Sequence, residues 1–109
     1  MKRYCQTLKL RDDPELIAQY VKEHSQVWPE VKAGIREVGI LDMQIYIHGN
    51  VLFMIVETVD DFDWEKDNAR LATLPRQAEW EAYMSRFQQA DISASSTEKW
   101  QLMERIFKL

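Results

Sequence analysis

The sequence of 109 residues is poor in cysteine and glycine, with one cysteine and three glycines. A single cysteine excludes a disulfide within the chain and is typical of a reducing compartment, so we expect a cytoplasmic protein. Gly34, Gly39 and Gly49 form no Gly-rich phosphate loop, which excludes the common nucleotide-binding motifs. His24 and His48 are the only histidines, and neither lies in a close pattern of metal ligands, so we expect no metal site.

The chain also lacks an excess of basic charge and any long apolar run. Its formal net charge is -4, with 14 Lys and Arg against 18 Asp and Glu. A nucleic-acid surface needs a basic stripe, so we do not expect nucleic acid as a partner. No apolar run approaches the roughly 20 residues that cross a bilayer, and residues 1–6 alternate polar and apolar instead of forming a signal core. We therefore expect neither a membrane partner nor export.

The length and the 46% hydrophobic content are typical of one domain, residues 1–109, with a single core. Hydrophobic periodicity predicts a strand over 2–10, a helix from residue 14, a second helix over 29–38, strands over 40–48 and 51–58, a helical region over 60–88 that breaks at Leu74-Pro75, and a strand over 100–107. A surface loop is predicted over 89–97. This order predicts an α+β, ferredoxin-like fold, a four-stranded antiparallel sheet with helices on one face.

The strand over 51–58 is apolar on both faces, which is typical of a central strand that is covered on both sides. Helices can cover only one of these faces. A bare apolar face would leave a large exposed patch, and pairing two sheets face to face removes it. We therefore predict a homodimer with twofold symmetry.

The spacing of apolar residues assigns several side chains to inward faces. In the first helix these are Ile17, Tyr20, Val21, His24 and Trp28. In the strand over 40–48 they are Leu41, Met43, Ile45 and Ile47. Asp13 is the predicted cap of the first helix and Asp60-Asp61 of the later one, and Gly49-Asn50 is predicted to supply positive backbone angles in a hairpin turn.

Tyr20, His24 and Trp28 recur every four residues, so a helix would align them on one stripe with the imidazole between two aromatic rings. Such residues are more often part of a packed core than of a binding site. The functional interpretation is that aromatic faces stack on the C–H face of a sugar while their polar edges contact hydroxyl groups. An imidazole that titrates near neutrality can give and take a proton, which suits interconversion of sugar anomers without a cofactor.

The sequence resembles the L-rhamnose mutarotase family over essentially its whole length. The residues that carry the resemblance are Tyr20, His24, Trp28-Pro29-Glu30, Gly39, Ile45-Tyr46, Leu52-Phe53, Val56-Glu57, Trp80 and Tyr83-Met84. The resemblance implies a dimeric α/β barrel enzyme of the cytoplasm that interconverts the anomers of a 6-deoxy-L-sugar. It also implies that His24 is the proton donor and that Tyr20 and Trp80 contact the sugar.

Two positions depart from the family pattern. Met43 stands where the rhamnose enzymes carry a sugar-binding tyrosine on the second strand, and Trp80-Glu81 stands where they carry a Trp-Trp pair. The predicted substrate-binding residues are Tyr20, Trp28, Met43, Trp80 and Glu81. The departures leave the identity of the sugar open between L-rhamnose, which we slightly prefer, and L-fucose.

The catalytic base stays open among Glu30, Asp42, Glu81 and a bound water. Two other functions also stay open. One is a cofactor-free monooxygenase, since similar dimeric barrels host that chemistry and a fold does not determine a function. Alternatively, the aromatic residues belong to the core and the protein is a non-catalytic ligand-binding module.

Overall fold

A computed structural model of the chain describes residues 1–89 and 99–109. Its elements are β1 (Lys2–Lys9), α1 (Pro14–Glu23), a 3-10 turn (His24–Gln26), α2 (Pro29–Glu37), β2 (Ile40–His48), β3 (Val51–Thr58), α3 (Trp64–Leu71), α4 (Gln77–Met84) and β4 (Gln101–Leu102). The surface loop predicted over 89–97 lies, except for Gln89, outside the described residues. None of the described helices is both long and apolar enough to cross a membrane.

The four strands form one antiparallel sheet in the order β2-β3-β1-β4. β3 therefore lies inside the sheet, between β1 and β2, as its two apolar faces predict. This strand order and the two helical connections are those of the ferredoxin-like α+β fold, so the prediction of the fold is confirmed.

The core lies between the helices and one face of the sheet, because alternate residues of each strand point to that face. The sheet contributes Leu8, Leu10, Ile40, Leu52, Met54 and Val56, and the rest of the chain contributes Tyr20, Val31, Val38, Phe62, Trp80, Met84, Phe87 and Trp100. Phe53, Ile55 and Tyr46 point to the opposite face, which no helix of the described chain covers.

The first helix begins as predicted. The carboxylate of Asp13 accepts hydrogen bonds from the backbone N–H groups of Glu15 and Leu16, and Pro14 occupies the first turn. Val21, however, is exposed, so its assignment to the inward face is wrong. Val21 lies about 100° around the helix from Tyr20, and Tyr20 is the residue that packs inward.

Trp28 is not on the first helix, contrary to the prediction. The backbone leaves α1 through the 3-10 turn, and Trp28 has an extended conformation with φ -57° and ψ 135°. Pro29 explains this conformation, because a proline pushes the preceding residue out of the helical region. The stripe of Tyr20, His24 and Trp28 therefore does not form along one helix.

The cap of α3 is Asp63, so the prediction of Asp60-Asp61 is wrong. The Asp63 carboxylate accepts a hydrogen bond from the backbone N–H of Lys66, at 2.9 Å. The chain first turns back to bury Phe62, whose N–H donates to the carbonyl of Val59. The helix can begin only after that aromatic ring has been placed in the core. The predicted break at Leu74-Pro75 is confirmed, since both residues lie between α3 and α4.

Two details of the strands differ from the prediction. A bulge between Ile40 and Asp42 turns Leu41 outward, where it is 59% exposed, while Met43 and Ile45 still pack against the core. In the hairpin turn only Gly49, and not the following asparagine, has a positive φ.

The last strand is much shorter than predicted. β4 comprises only Gln101–Leu102, against the predicted 100–107. The N–H of Met103 donates to the carbonyl of Cys5. The residues that follow it, 104–109, have no regular secondary structure, and all of them are exposed. The C-terminal segment, residues 103–109, therefore lies outside the sheet of its own chain.

Of the two glycines that lie at turns with a positive φ, Gly39, which follows α2, is expected to be the more sensitive to substitution. Its φ is +100°, and a Cβ atom there would lie 2.9 Å from Cγ2 of Val59. We expect Gly39→Ala to lower the free energy of unfolding by about 2–3 kcal/mol, from backbone strain and crowding together. Gly49→Ala is the matched control, because its φ is +60° but no atom lies within 4 Å, and it should cost about 1 kcal/mol. Equal losses in urea unfolding would contradict the role of Val59.

Candidate active site

A cavity of about 420 Å³ lies between the helices and the core-facing side of the sheet. Its volume falls in the usual range for small-molecule sites, roughly 300–1,000 Å³. Its wall is mainly apolar, with contributions from Val31, Ile35, Met54 and Met84. Polar side chains also line it, and they come from both the sheet and the helices.

His24 supplies the imidazole of this cavity, from the 3-10 turn after α1. Its Nδ1 atom lies 2.8 Å from the backbone carbonyl oxygen of Tyr20. Since a carbonyl oxygen only accepts, Nδ1 carries the hydrogen, and Nε2 is the ring nitrogen left for a ligand. Burial lowers the pKa of His24 below its usual value, against the opposing effects of the Tyr20 carbonyl and of Glu23.

Tyr20 lies directly beside this imidazole. The two ring centroids are 4.2 Å apart, and the tyrosine is almost fully buried. Burial raises the pKa of its hydroxyl group well above the usual value, and the side chain of Gln88 opposes this effect only in part. Tyr20 is therefore a neutral phenol at any physiological pH and can donate a hydrogen bond.

Trp80 forms a further part of the wall, with its indole ring edge-on to the imidazole at 5.6 Å between centroids. Trp28 packs edge-on behind Trp80 at 5.1 Å and is not among the residues that line the cavity. The guanidinium of Arg76 lies over the Trp28 ring, 4.0 Å from its centroid. Trp28 thus supports the indole of Trp80, and its predicted contact with substrate stays a prediction.

Glu81 lines the cavity next to Trp80 and is paired with a lysine that the sequence did not indicate. The ammonium of Lys99 is buried, 3.4 Å from a carboxylate oxygen of Glu81, 3.2 Å from its backbone carbonyl and 2.6 Å from Oγ of Ser85. A buried ammonium group is costly unless such partners surround it. The pair holds the Glu81 carboxylate in one place on the wall.

The other candidate carboxylates lie in different surroundings. Asp42 lines the cavity at its β2 edge and accepts a hydrogen bond from the amide of Gln44. Glu30 is not a lining residue and pairs instead with Arg76 at 3.6 Å. Met43, on β2, also lines the cavity. Within residues 1–89 and 99–109, no three His, Cys, Asp or Glu side chains are grouped so that they could hold a metal ion.

Three buried amide side chains in the wall were missed by the sequence analysis. Gln77 donates to the carbonyl of Val31, and Gln6 donates to the sulfur of Met54 at 3.3 Å. Gln88 is the third. A signal existed for Gln6, which occupies the inward-facing register of its strand between Tyr4 and Leu8. A polar residue at such a position indicates either a buried hydrogen bond or a ligand.

Comparison with known proteins adds to this geometry. The model of a protein family described as L-rhamnose mutarotase matches residues 3–109. An L-fucose mutarotase of Xanthomonas campestris is 43% identical over 100% of this chain and 89% of its own length. An L-rhamnose mutarotase of Mesorhizobium japonicum is 28% identical over 70% of this chain and 66% of its own length.

A crystal structure of an L-rhamnose mutarotase from Formosa agariphila has the same fold. It superimposes with a TM-score of 0.75 at 22% identity, and the match covers 100% of this chain and 99% of that one. The family match over nearly all of the sequence and the likeness of the fold agree with each other. The chain therefore belongs to the L-rhamnose mutarotase family of carbohydrate isomerases.

Proposed function

We propose that this protein is an aldose 1-epimerase that interconverts the α and β anomers of a 6-deoxy-L-sugar, with His24 as the proton donor. The observation that carries the proposal is the imidazole itself. Its Nδ1–H is committed to the Tyr20 carbonyl, so Nε2 is the nitrogen available to a ligand in the cavity. Trp80 offers an apolar ring for the C–H face of a pyranose, and Tyr20 offers a hydroxyl group.

The reaction is a ring opening followed by a ring closure. The imidazolium of His24 gives the proton on Nε2 to the ring oxygen as the bond from C1 to that oxygen breaks. A base removes the proton of the anomeric hydroxyl, and C1 becomes an aldehyde. Rotation about the bond from C1 to C2 presents the other face, and the two proton transfers then run in reverse. No oxidation occurs, so the reaction requires no redox cofactor.

We assign the base to Glu81. Of the carboxylates left open by the sequence, Glu81 and Asp42 line the cavity. Glu81 is the better placed of the two, because it follows Trp80 in α4 and Lys99 holds its carboxylate from behind. Asp42 lies at the exposed edge strand, where water competes for the same contacts. The residues that contact the sugar are then Tyr20, Trp80, Glu81 and Met43, with Trp28 supporting Trp80.

L-Fucose is the sugar that we propose first, in place of the slight preference for L-rhamnose. The support is the 43% identity over the whole chain to an L-fucose mutarotase, against 28% over a smaller part to an L-rhamnose mutarotase. Met43 and Glu81 point the same way, since both depart from the pattern of the rhamnose enzymes. A cytoplasmic location stays a prediction from the sequence.

We also propose that two copies pair through the face of the sheet that lies opposite the helices. Tyr46 and Val51 are exposed on that side of the sheet, and the residues of the C-terminal segment 103–109 are exposed as well. Within that segment Ile106 is 93% exposed and Phe107 69% exposed. Apolar side chains on a segment outside its own sheet would be buried by the second copy, and a twofold arrangement buries both segments equally.

Anomer exchange measured by saturation-transfer NMR on L-fucose and L-rhamnose tests the activity. We expect exchange to be faster with protein than in buffer, and faster for L-fucose than for L-rhamnose. His24→Gln should slow it by about 10²–10⁴-fold, since it removes general acid catalysis. His48→Gln is the matched control, because His48 is exposed at the end of β2 and should leave the rate unchanged. No acceleration by the wild-type protein would support the non-catalytic binding module instead.

The dependence of the rate on pH tests the role of the imidazole as donor. The donor is the protonated form, which is present below the pKa of His24 and disappears as the pH rises through it. Because burial lowers this pKa, the fall in rate should be centred below pH ~6.5. His24→Gln should show no such fall in its residual rate. A rate that rises with pH over this range would identify the neutral imidazole as a proton acceptor and contradict the proposed role.

Light scattering after size-exclusion chromatography tests the dimer. We expect a mass of twice the 13.0 kDa chain for the wild-type protein. The double variant Ile106→Lys, Phe107→Lys should be a monomer, because two charges replace apolar contacts at the interface. Val21→Lys is the matched control, since Val21 is an exposed apolar residue on the helical side. A double variant that keeps the mass of the wild-type protein would contradict the assignment of this face.

A further inference from the structure

Gln88 is the buried polar residue of the cavity wall that the proposed mechanism does not use. It is 2% exposed and lines the cavity. Its side-chain oxygen, Oε1, is buried and has no hydrogen-bond partner among the described residues. Buried carbonyl oxygens in folded proteins are nearly always paired, so an unpaired one beside a cavity points to a ligand.

The backbone at this position is held firmly. Gln88 forms an antiparallel bridge with Leu10, next to the end of β1. On either side of it, the N–H of Arg11 donates to the carbonyl of Phe87 at 2.8 Å, and the N–H of Gln89 donates to the carbonyl of Lys9 at 2.9 Å. These bonds fix the point from which the Gln88 side chain extends, and the unpaired oxygen is therefore not a consequence of a loose segment.

The Tyr20 hydroxyl group is the polar group beside this amide. Tyr20 and Gln88 both line the cavity, and their side chains interact there. Oε1, the carbonyl end of the amide, is the atom without a partner among the described residues. Beside it, the hydroxyl hydrogen of Tyr20 is a donor. A donor and an acceptor thus lie close together in a wall that is otherwise mainly apolar.

We infer that Gln88 determines specificity, because its carbonyl oxygen accepts a hydrogen bond from one hydroxyl group of the bound sugar. The same sugar hydroxyl can accept from Tyr20, so it is recognised as a donor and an acceptor at once. This inference rests on the proposed function, and it assigns part of the sugar recognition to a residue outside the predicted set. A sugar without that hydroxyl would leave the Gln88 oxygen unpaired in the complex and would be rejected.

Monodeoxy analogues test the inference directly. The substrates are the sugar that the wild-type protein turns over fastest and its analogues that lack the hydroxyl at C2, C3 or C4. For the wild-type protein we expect kcat/KM of one analogue to fall at least tenfold below that of the parent sugar. With Gln88→Met, which keeps the length of the side chain, kcat/KM for this analogue should come within about twofold of kcat/KM for the parent sugar. The ratios of kcat/KM between each of the other two analogues and the parent sugar should keep their wild-type values.

Two variants and one stability measurement separate recognition from a structural role. Gln89→Met is the matched control, since Gln89 is the exposed neighbour, and all three ratios should keep their wild-type values. Gln88→Glu keeps a carbonyl oxygen in place and should keep the discrimination; it is also the second variant if Gln88→Met does not fold. Gln88→Met should unfold at no lower urea concentration than the wild-type protein, because it removes an unpaired polar atom from the interior.

The inference is overturned if the wild-type protein discriminates against no monodeoxy analogue, or if Gln88→Met keeps all three ratios. It is also overturned if Gln88→Met loses stability and slows every sugar in the same proportion, which a structural role predicts. These failures differ from failure of the proposed function. In the latter case the wild-type protein accelerates exchange of neither parent sugar, and the assignment of Gln88 falls together with the activity.

Discussion

The hydrogen bond between Nδ1 of His24 and the carbonyl of Tyr20 is the interaction on which the site depends. It forms where α1 tightens into a 3-10 turn, so the imidazole bonds to the backbone four residues earlier. Pro29 contributes to this geometry, because it prevents Trp28 from continuing the helix. The bond fixes both the tautomer and the direction of the ring. A local feature of the backbone, one turn long, thereby decides which nitrogen is presented to the cavity.

The wall around this imidazole combines an apolar surface with buried polar groups that are paired inside the protein. Lys99 is matched by Glu81 and Ser85, and the amide of Gln77 is matched by a backbone carbonyl. Such pairing fixes the polar groups in position before a ligand arrives, which lowers the cost of ordering them on binding. The same low polarity lowers the pKa of His24, which makes its imidazolium a stronger acid and also a less abundant one.

Patterns within short stretches of the sequence predicted the parts of the fold that depend on residues adjacent in sequence. The bounds of β2 follow from alternation, those of β3 follow from a short apolar run, and the glycine between them marks the turn. The cap at Asp13 follows from the proline after it. The errors arise where tertiary packing overrides the local signal. Burial of Phe62 moves the next cap to Asp63, and the bulge turns Leu41 outward. The pair of Glu81 and Lys99 could not be predicted, because the two residues are 18 positions apart and only the folded chain brings them together.

Met43 and Glu81 lie on opposite sides of the cavity wall. Met43, on β2, offers the cavity no hydroxyl group, while Glu81 offers a carboxylate on the opposite, helical side. Glu81 therefore lies on the interior side of the wall, where Gln88 and Tyr20 also lie. Hydrogen bonds are worth more in a buried wall than at an edge that water reaches, because unpaired groups there are costly. Substitutions elsewhere in the wall can therefore change which polar groups a ligand meets without moving the imidazole, since His24 is held by a backbone carbonyl.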